Sequence, residues 1–269
     1  MVKRQLVDQG RLGDGLAYFR VGAGRPLVYL PGLTTHHRPP QGTDRWFQVR
    51  QLRPFSRHRE VWWVQRRESL APGATMADIA RDYAAALRGR FDGPVDVVGS
   101  STGGTVALQL AADHPDAVRR LVLLSSACRL GPLGLEEERS LAELLRRGRT
   151  REANGQMMSM LAVSPRGRWV LAKLGWLLGP PLKGEGLSDM LITIDAENAW
   201  DLTTRLPAIT TPTLVIGGGR DRYYGTDVFH DTASGLPNGR LILYPDKGHV
   251  GAQTDRKTIS EVFRFLEQP

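Results

Sequence analysis

The stretch VDVVGSSTGGTVALQLAADHP, residues 95–115, sets two serines side by side between glycines. Its first half is a short β-branched run of buried-strand length, and its second half carries apolar residues at helical spacing. Gly99-Ser100-Ser101-Thr102-Gly103 therefore falls where a strand hands over to a helix, and it fits the pattern G-x-S-x-G. A serine there sits on a sharp turn, so the residues two before and two after it must be small. With Ser101 central, those flanks are Gly99 and Gly103; with Ser100 central, they are Val98 and Thr102, both β-branched. Ser101 is accordingly the nucleophile candidate, presented at a helix N-terminus whose unpaired N–H groups favour developing negative charge. A glycine-rich turn that merely turns, or binds a phosphate, is the alternative. Neither a phosphate-loop lysine nor G-x-G-x-x-G accompanies it.

Working outward, strand and helix signals alternate on both sides. QLVDQGRL and LAYFRVG flank the turn-like GDG, and PLVYLPG and REVWWVQRR read as further strands. Residues 76–90 place Ile79, Tyr83, Ala86 and Leu87 on one helical face. VRRLVLLSSA is a strand again. From about residue 129 the rhythm changes to successive helical segments: LEEERSLAELLRRG, REANGQMMSMLAV, GRWVLAKLGWLL and LSDMLITIDAENAWDLTTRL. After PAITTP, the strand TLVIGGG, a short helix, the strand RLILYP and an amphipathic closing helix follow. Alternating elements predict a mostly parallel sheet covered on both faces. The expected division is a core of residues 1–128, a helical insertion of 129–206 and a returning core of 207–269.

Bulk properties narrow the function. The chain has 269 residues, 41% hydrophobic and 24% charged, ordinary for a globular protein. No apolar run approaches membrane-spanning length, and the N-terminus shows no secretory h-region; no membrane partner is expected. The one cysteine, Cys128, allows neither an internal disulfide nor a multi-thiolate metal site, which suits a reducing cytoplasm. The net charge of +8 comes almost wholly from arginine spread along the chain. It carries no nucleic-acid-binding motif, so a small-molecule substrate is expected rather than nucleic acid. A homodimer is compatible with this reading.

A serine hydroxyl needs a base, and the base needs an orienting group. Of six histidines, His249 stands just after the last strand, beside Gly248. His114 ends a helix, and His58 and His230 read as solvated. His36 and His37 follow a strand end and could line a site mouth. Asp221 lies a few residues beyond the strand TLVIGGG and is the preferred carboxylate. Asp227 reads as a helix N-terminal charge, and Asp246 lies too near His249 in the chain.

In the order LVYLPGL, VVGSSTGG, HPDAVRRLVLLSSA, TPTLVIGGGRD and DKGHV, the chain resembles the α/β-hydrolase superfamily, in its serine-nucleophile, esterase- or lactonase-like form with a helical cap. The resemblance spans essentially the whole chain. It implies an eight-stranded, mostly parallel sheet and a triad of Ser101, Asp221 and His249. The oxyanion hole would use the backbone N–H groups of Leu33 and Thr102; one such donor contributes roughly 2.7–4 kcal/mol to transition-state stabilisation. Many relatives carry His-Gly where this chain has Pro31-Gly32, which removes a side chain able to brace that loop. The implied reaction is hydrolysis of a small, mainly apolar ester, lactone or thioester through an acyl-enzyme, requiring no metal or organic cofactor. A non-catalytic ligand-binding protein, a carbon–carbon bond hydrolase and a perhydrolase are the alternatives. His36, Met157, Met160, Trp176 and Trp200 are the candidate pocket residues, the methionines and tryptophans forming an adaptable apolar wall.

Overall fold

A computed structural model describes residues 8–35, 37–179, 182 and 185–268. The chain begins with an antiparallel hairpin, β1 (Asp8–Leu12) and β2 (Leu16–Val21), closed by Gly13 and Gly15 at positive φ. The strands β3 (Pro26–Leu30), β4 (Glu60–Val64), β5 (Val95–Ser100), β6 (Val118–Leu124), β7 (Thr213–Gly218) and β8 (Gly239–Tyr244) complete one eight-stranded sheet in the order β1-β2-β4-β3-β5-β6-β7-β8. The pairs β1–β2 and β2–β4 are antiparallel and the others parallel.

Strand periodicity explains the doubled tryptophan of β4. Successive side chains point to opposite faces, so Trp62 joins the core beneath α2 (Met76–Arg90) and α3 (Thr102–Asp113), while Trp63 joins the opposite core. That second layer is closed by α1 (Gly42–Ser56) and α10 (Arg256–Leu266), which contribute Leu52, Phe55, Val262 and Phe265. Between β7 and β8 runs α8 (Thr226–Gly235). The predicted strands and the 76–90 helix are found. Sequence reasoning missed α1, because arginines and Pro54 interrupt its apolar spacing and only Val49, Leu52 and Phe55 pack inward.

Between β6 and β7 lie α4 (Pro132–Arg146), α5 (Thr150–Met160), α6 (Pro165–Leu178) and α7 (Glu185–Asn198). The last predicted helix was expected to run to residue 206, but α7 stops at Asn198. Trp200 Nε1–H donates to Gln109 Oε1 (2.6 Å) and Leu202 N–H to the Cys128 carbonyl (3.0 Å); these bonds pull the segment onto the core, and Thr203 N–H turns the chain locally by donating to Asp201 Oδ1 (2.7 Å). The inserted helices have their own apolar cluster of Leu141, Leu145, Ala153, Met190 and Ile194, against which Leu33 of the core packs.

Two buried acids tie the insertion down by different means. Asp189 of α7 accepts from the backbone N–H groups of Ser69 (2.8 Å) and Leu70 (2.8 Å), with His37 Nε2 3.2 Å away. Burial, reinforced by the Arg66 charge, holds His37 below its ordinary value, so this clasp rests on Asp189 and backbone amides. Glu197 of α7 accepts from Thr105 Oγ1 of α3 (2.6 Å). Its neighbour Glu138 of α4 is buried, with Oε2 unpartnered among the described residues. Burial pushes the Glu138 carboxyl well above the usual carboxylate range, and the Glu197 charge pushes it the same way.

Removing the clasp in Asp189→Ala strands two N–H donors, and urea titration is expected to show a loss of about 2–4 kcal/mol. Glu138 has the opposite sign of effect. A carboxyl whose folded pKa is raised stabilises fully below the unfolded pKa and loses that stability as pH rises toward the folded value. Glu138→Gln should therefore match the wild-type melting temperature near pH 4 and exceed it at pH 8, measured by thermal scans across that range.

Candidate active site

The turn after β5 is built by backbone-on-backbone contact. A Cβ at Gly99 would lie 2.5 Å from Gly104 Cα, and one at Gly103 only 2.2 Å from the Leu30 carbonyl oxygen. With no room to relax sideways, Ser101 takes φ 53° and ψ −130°, a conformation a non-glycine residue holds only under constraint. Its hydroxyl is thereby lifted to the N-terminus of α3, with Ser101 half-buried. Ser100 points elsewhere and donates to Gln253 Oε1 (2.8 Å).

Three side chains distant in sequence converge there. His249 Nε2 lies 3.0 Å from Ser101 Oγ, and His249 Nδ1 lies 2.8 Å from Asp221 Oδ2. A carboxylate can only accept, so Nδ1 carries the hydrogen and Nε2 is left to accept the serine proton. Asp221 is fixed in turn: its Oδ1 accepts from the Tyr223 N–H (2.9 Å). His249 and Asp221 are each 5% exposed, whereas Ser101 is more open. The arrangement can deprotonate a hydroxyl while screening the base from bulk water.

Several supports lay beyond sequence reasoning. His249 is the first residue of a five-residue helix, α9 (His249–Gln253), not a loop residue. Ser125, at the end of β6 with φ 47°, donates its hydroxyl to the His249 carbonyl (2.6 Å). The rings of Tyr223 and Tyr224 lie 4.9 and 6.1 Å from the imidazole. The loop after β3 is held by buried Arg66, which donates to the Thr34 carbonyl (2.7 Å), an interaction that braces the Pro31-Gly32 segment. Only the serine pair Ser125-Ser126 after a strand run hinted at Ser125, and nothing in the sequence marked Arg66.

Leu33 sits in that loop and Thr102 opens α3; among the described residues neither N–H donates to a turn or loop carbonyl. A Cβ at Gly32 would lie 3.3 Å from Ser101 Cβ and 3.9 Å from its Oγ, which places the loop directly against the serine. Two hollows meet at Leu33 and Thr34. One, of about 280 Å³, is polar and bordered by Gly32, Arg38, Gln48, Gln51 and Ser100. The other is an apolar groove of about 440 Å³ under the inserted helices, walled by Met157, Met158, Leu174, Leu178, Leu182 and Met190.

The expected pocket residues separate in this geometry. Met157 lines the apolar groove. Met160 is buried against Arg222, whose Nε is 3.4 Å from its sulfur, and borders only a water-sized hollow. Trp176 lines neither hollow: it is 43% exposed, beneath the Arg151 guanidinium. Trp200 is likewise away from both, committed to Gln109 and the core. His37 is buried against Asp189 rather than lining a mouth, and His36 lies outside the described residues. Asp227 stands in the first turn of α8, and Asp246 faces Arg220 at 3.5 Å.

Comparison with known proteins accords with this architecture. The chain is 28% identical over 255 residues to BpoC of Mycobacterium tuberculosis H37Rv, covering 88% of this chain and 91% of BpoC. The crystal structure of BpoC superposes with a TM-score of 0.74 at 22% identity, over 95% of this chain and 97% of that one. The pimeloyl-[acyl-carrier protein] methyl ester esterase of Neisseria meningitidis is 28% identical over 210 residues, 73% of this chain and 80% of the esterase. The enol-lactonase of Burkholderia xenovorans LB400 shares the fold with a TM-score of 0.73 at 18% identity, over 97% of this chain and all of that one. The model of the alpha/beta hydrolase family matches residues 27–261, and the chain, a hydrolase, belongs to that family.

Proposed function

We propose that the protein hydrolyses a carboxylic ester or a chemically similar acyl compound, with an apolar acyl group, through an acyl-enzyme on Ser101. The observation that carries this reading is the unbroken relay from Asp221 Oδ2 through His249 to Ser101 Oγ, at 2.8 and 3.0 Å. As Ser101 Oγ attacks the carbonyl carbon, His249 Nε2 takes its proton, and Asp221 holds the imidazolium in place. The N–H groups of Thr102 and Leu33 receive the oxyanion. His249 then returns the proton to the leaving oxygen. Next it takes one from a water that attacks the acyl carbonyl, and collapse of the second tetrahedral species restores the Ser101 hydroxyl. The apolar groove starts at Leu33, beside the proposed oxyanion donor, and so is the place for the acyl chain. The polar hollow on the other side of Leu33 suits a polar leaving group.

A fluorophosphonate probe should label Ser101 and no other serine, as read by peptide mapping, and Ser101→Ala should abolish both labelling and p-nitrophenyl ester turnover while keeping the fold. Labelling at Ser100, or a folded wild type that is never acylated, refutes the mechanism. Asp221→Asn should lower kcat by about 10⁴-fold, as wrong-tautomer variants do. Along a series of p-nitrophenyl acyl esters, kcat/KM should rise by up to about fourfold per added methylene until the groove is filled. Leu174→Trp, which narrows the groove, should flatten that rise while sparing the acetate; an acyl-length profile that it leaves unchanged would put the chain elsewhere.

A further inference from the structure

The helix α6 is strongly apolar on its outward side. Trp169 and Leu177 are 66–68% exposed, and Val170 is exposed beside them. Basic residues are interleaved with these on the same helix: Arg166, Arg168 and Lys173. Residues 153–184 contain no aspartate or glutamate at all. Elsewhere the arginines mostly meet acids, as in Arg88–Asp116 and Arg146–Asp195, but Arg166, Arg168 and Lys173 form no ion pair with any described residue. The inner side of the same helix, at Leu174 and Leu178, walls the apolar groove.

We propose that α6 is a docking face for an anionic lipid surface, seating Trp169, Val170 and Leu177 among the headgroups while the three basic side chains meet lipid phosphates. Tryptophan and leucine alternating with arginine and lysine suit that boundary: the rings and aliphatic tips enter it, and the basic stems reach back to the charged layer. A second copy of this chain is disfavoured, because a symmetric contact would set three cations against three with no acid between them. A soluble acidic protein would answer the charges but leave the large apolar tips unsatisfied. No helix among the described residues is long and apolar enough to cross a membrane, so the contact is peripheral. This departs from the expectation of no membrane partner, which rested on the lack of a spanning run. Docking through α6 would open the groove toward the bilayer, so the natural ester is one dissolved in lipid. That substrate step rests on the acyl-groove reading above, whereas the docking does not.

Flotation of the Ser101→Ala protein with vesicles tests docking without turnover. Vesicles of equimolar phosphatidylcholine and phosphatidylglycerol should carry the protein, and pure phosphatidylcholine should bind it at least about tenfold more weakly. Trp169→Ser with Leu177→Ser should cut binding to the mixed vesicles about tenfold or more. The same pair of substitutions, with Ser101 intact, should leave hydrolysis of a short soluble ester unchanged. Absence of binding to the mixed vesicles overturns the proposal. So does full binding by the Trp169/Leu177 variant, which would make the contact purely ionic and point to an acidic soluble partner. A wild-type dimer in sedimentation that the Leu177→Ser change dissociates also overturns it, in favour of a second copy. Vesicle binding is read without catalysis, so its failure is distinguishable from failure of the hydrolase reading.

Discussion

Everything at the site depends on how closely the backbone packs at Gly99 and Gly103. The end of β3 presses its Leu30 and Pro31 carbonyls against Gly103, and Gly99 lies against Gly104, at distances no side-chain carbon could share. That double contact leaves the intervening chain one way round the corner, with Ser101 at positive φ. The strain is local, and it is held by the neighbouring parallel strands, whose ladder bonds fix the β5 end of the turn. A hydroxyl on an ordinary loop would have many orientations; this one has few. Pre-organisation here is a consequence of steric exclusion rather than of any bond the serine makes.

The other members reach the same point because parallel strands end on the same edge of the sheet. Asp221 follows β7 and His249 follows β8, both at that edge. Ser125, closing the neighbouring β6, ties the His249 backbone to the sheet. Since Ser125 N–H also donates to the Ile216 carbonyl (2.7 Å), β6, β7 and the start of α9 form one hydrogen-bonded unit under the imidazole. The Leu33 loop has no such strand neighbour. Arg66 performs that task from the side, where burial lowers its affinity for a proton but leaves its donors available to the Thr34 carbonyl.

What was legible in the sequence follows from range. The glycine spacing around Ser101 is a short-range steric rule, and the strand runs are short-range hydrophobic patterns, so both could be read directly. The convergence of Asp221 and His249 was legible because each follows a glycine-marked strand end, and parallel topology brings such ends together. The pocket was not. Trp176 and Trp200 carry the same residue name and sit in the same insertion, yet one lies under a surface guanidinium and the other bonds Gln109. Their difference is set by which way a helix rolls on its neighbours, and residue type is silent on that. The acids Glu138, Asp189 and Glu197 were illegible for a related reason: acids in helices normally face water, and only packing shows that these do not.

The exposure of α6 has a cause within the insertion. Gly155 of α5 and Gly175 of α6 meet backbone to backbone: a Cβ at Gly155 would lie 2.9 Å from the Ala172 carbonyl, and one at Gly175 would lie 2.4 Å from that of Asn154. Two helices that approach so closely gain their contact from main chain and small residues, and need few large side chains between them. Trp169 and Leu177 are thus not required to hold the hairpin together. For a chain living only in water, such a set of exposed apolar side chains would be an aggregation liability. Polar residues at those positions would cost the α5–α6 contact nothing. Large apolar side chains kept where packing does not ask for them, on the helix that also walls the acyl groove, have their simplest physical reason in an apolar phase outside the protein.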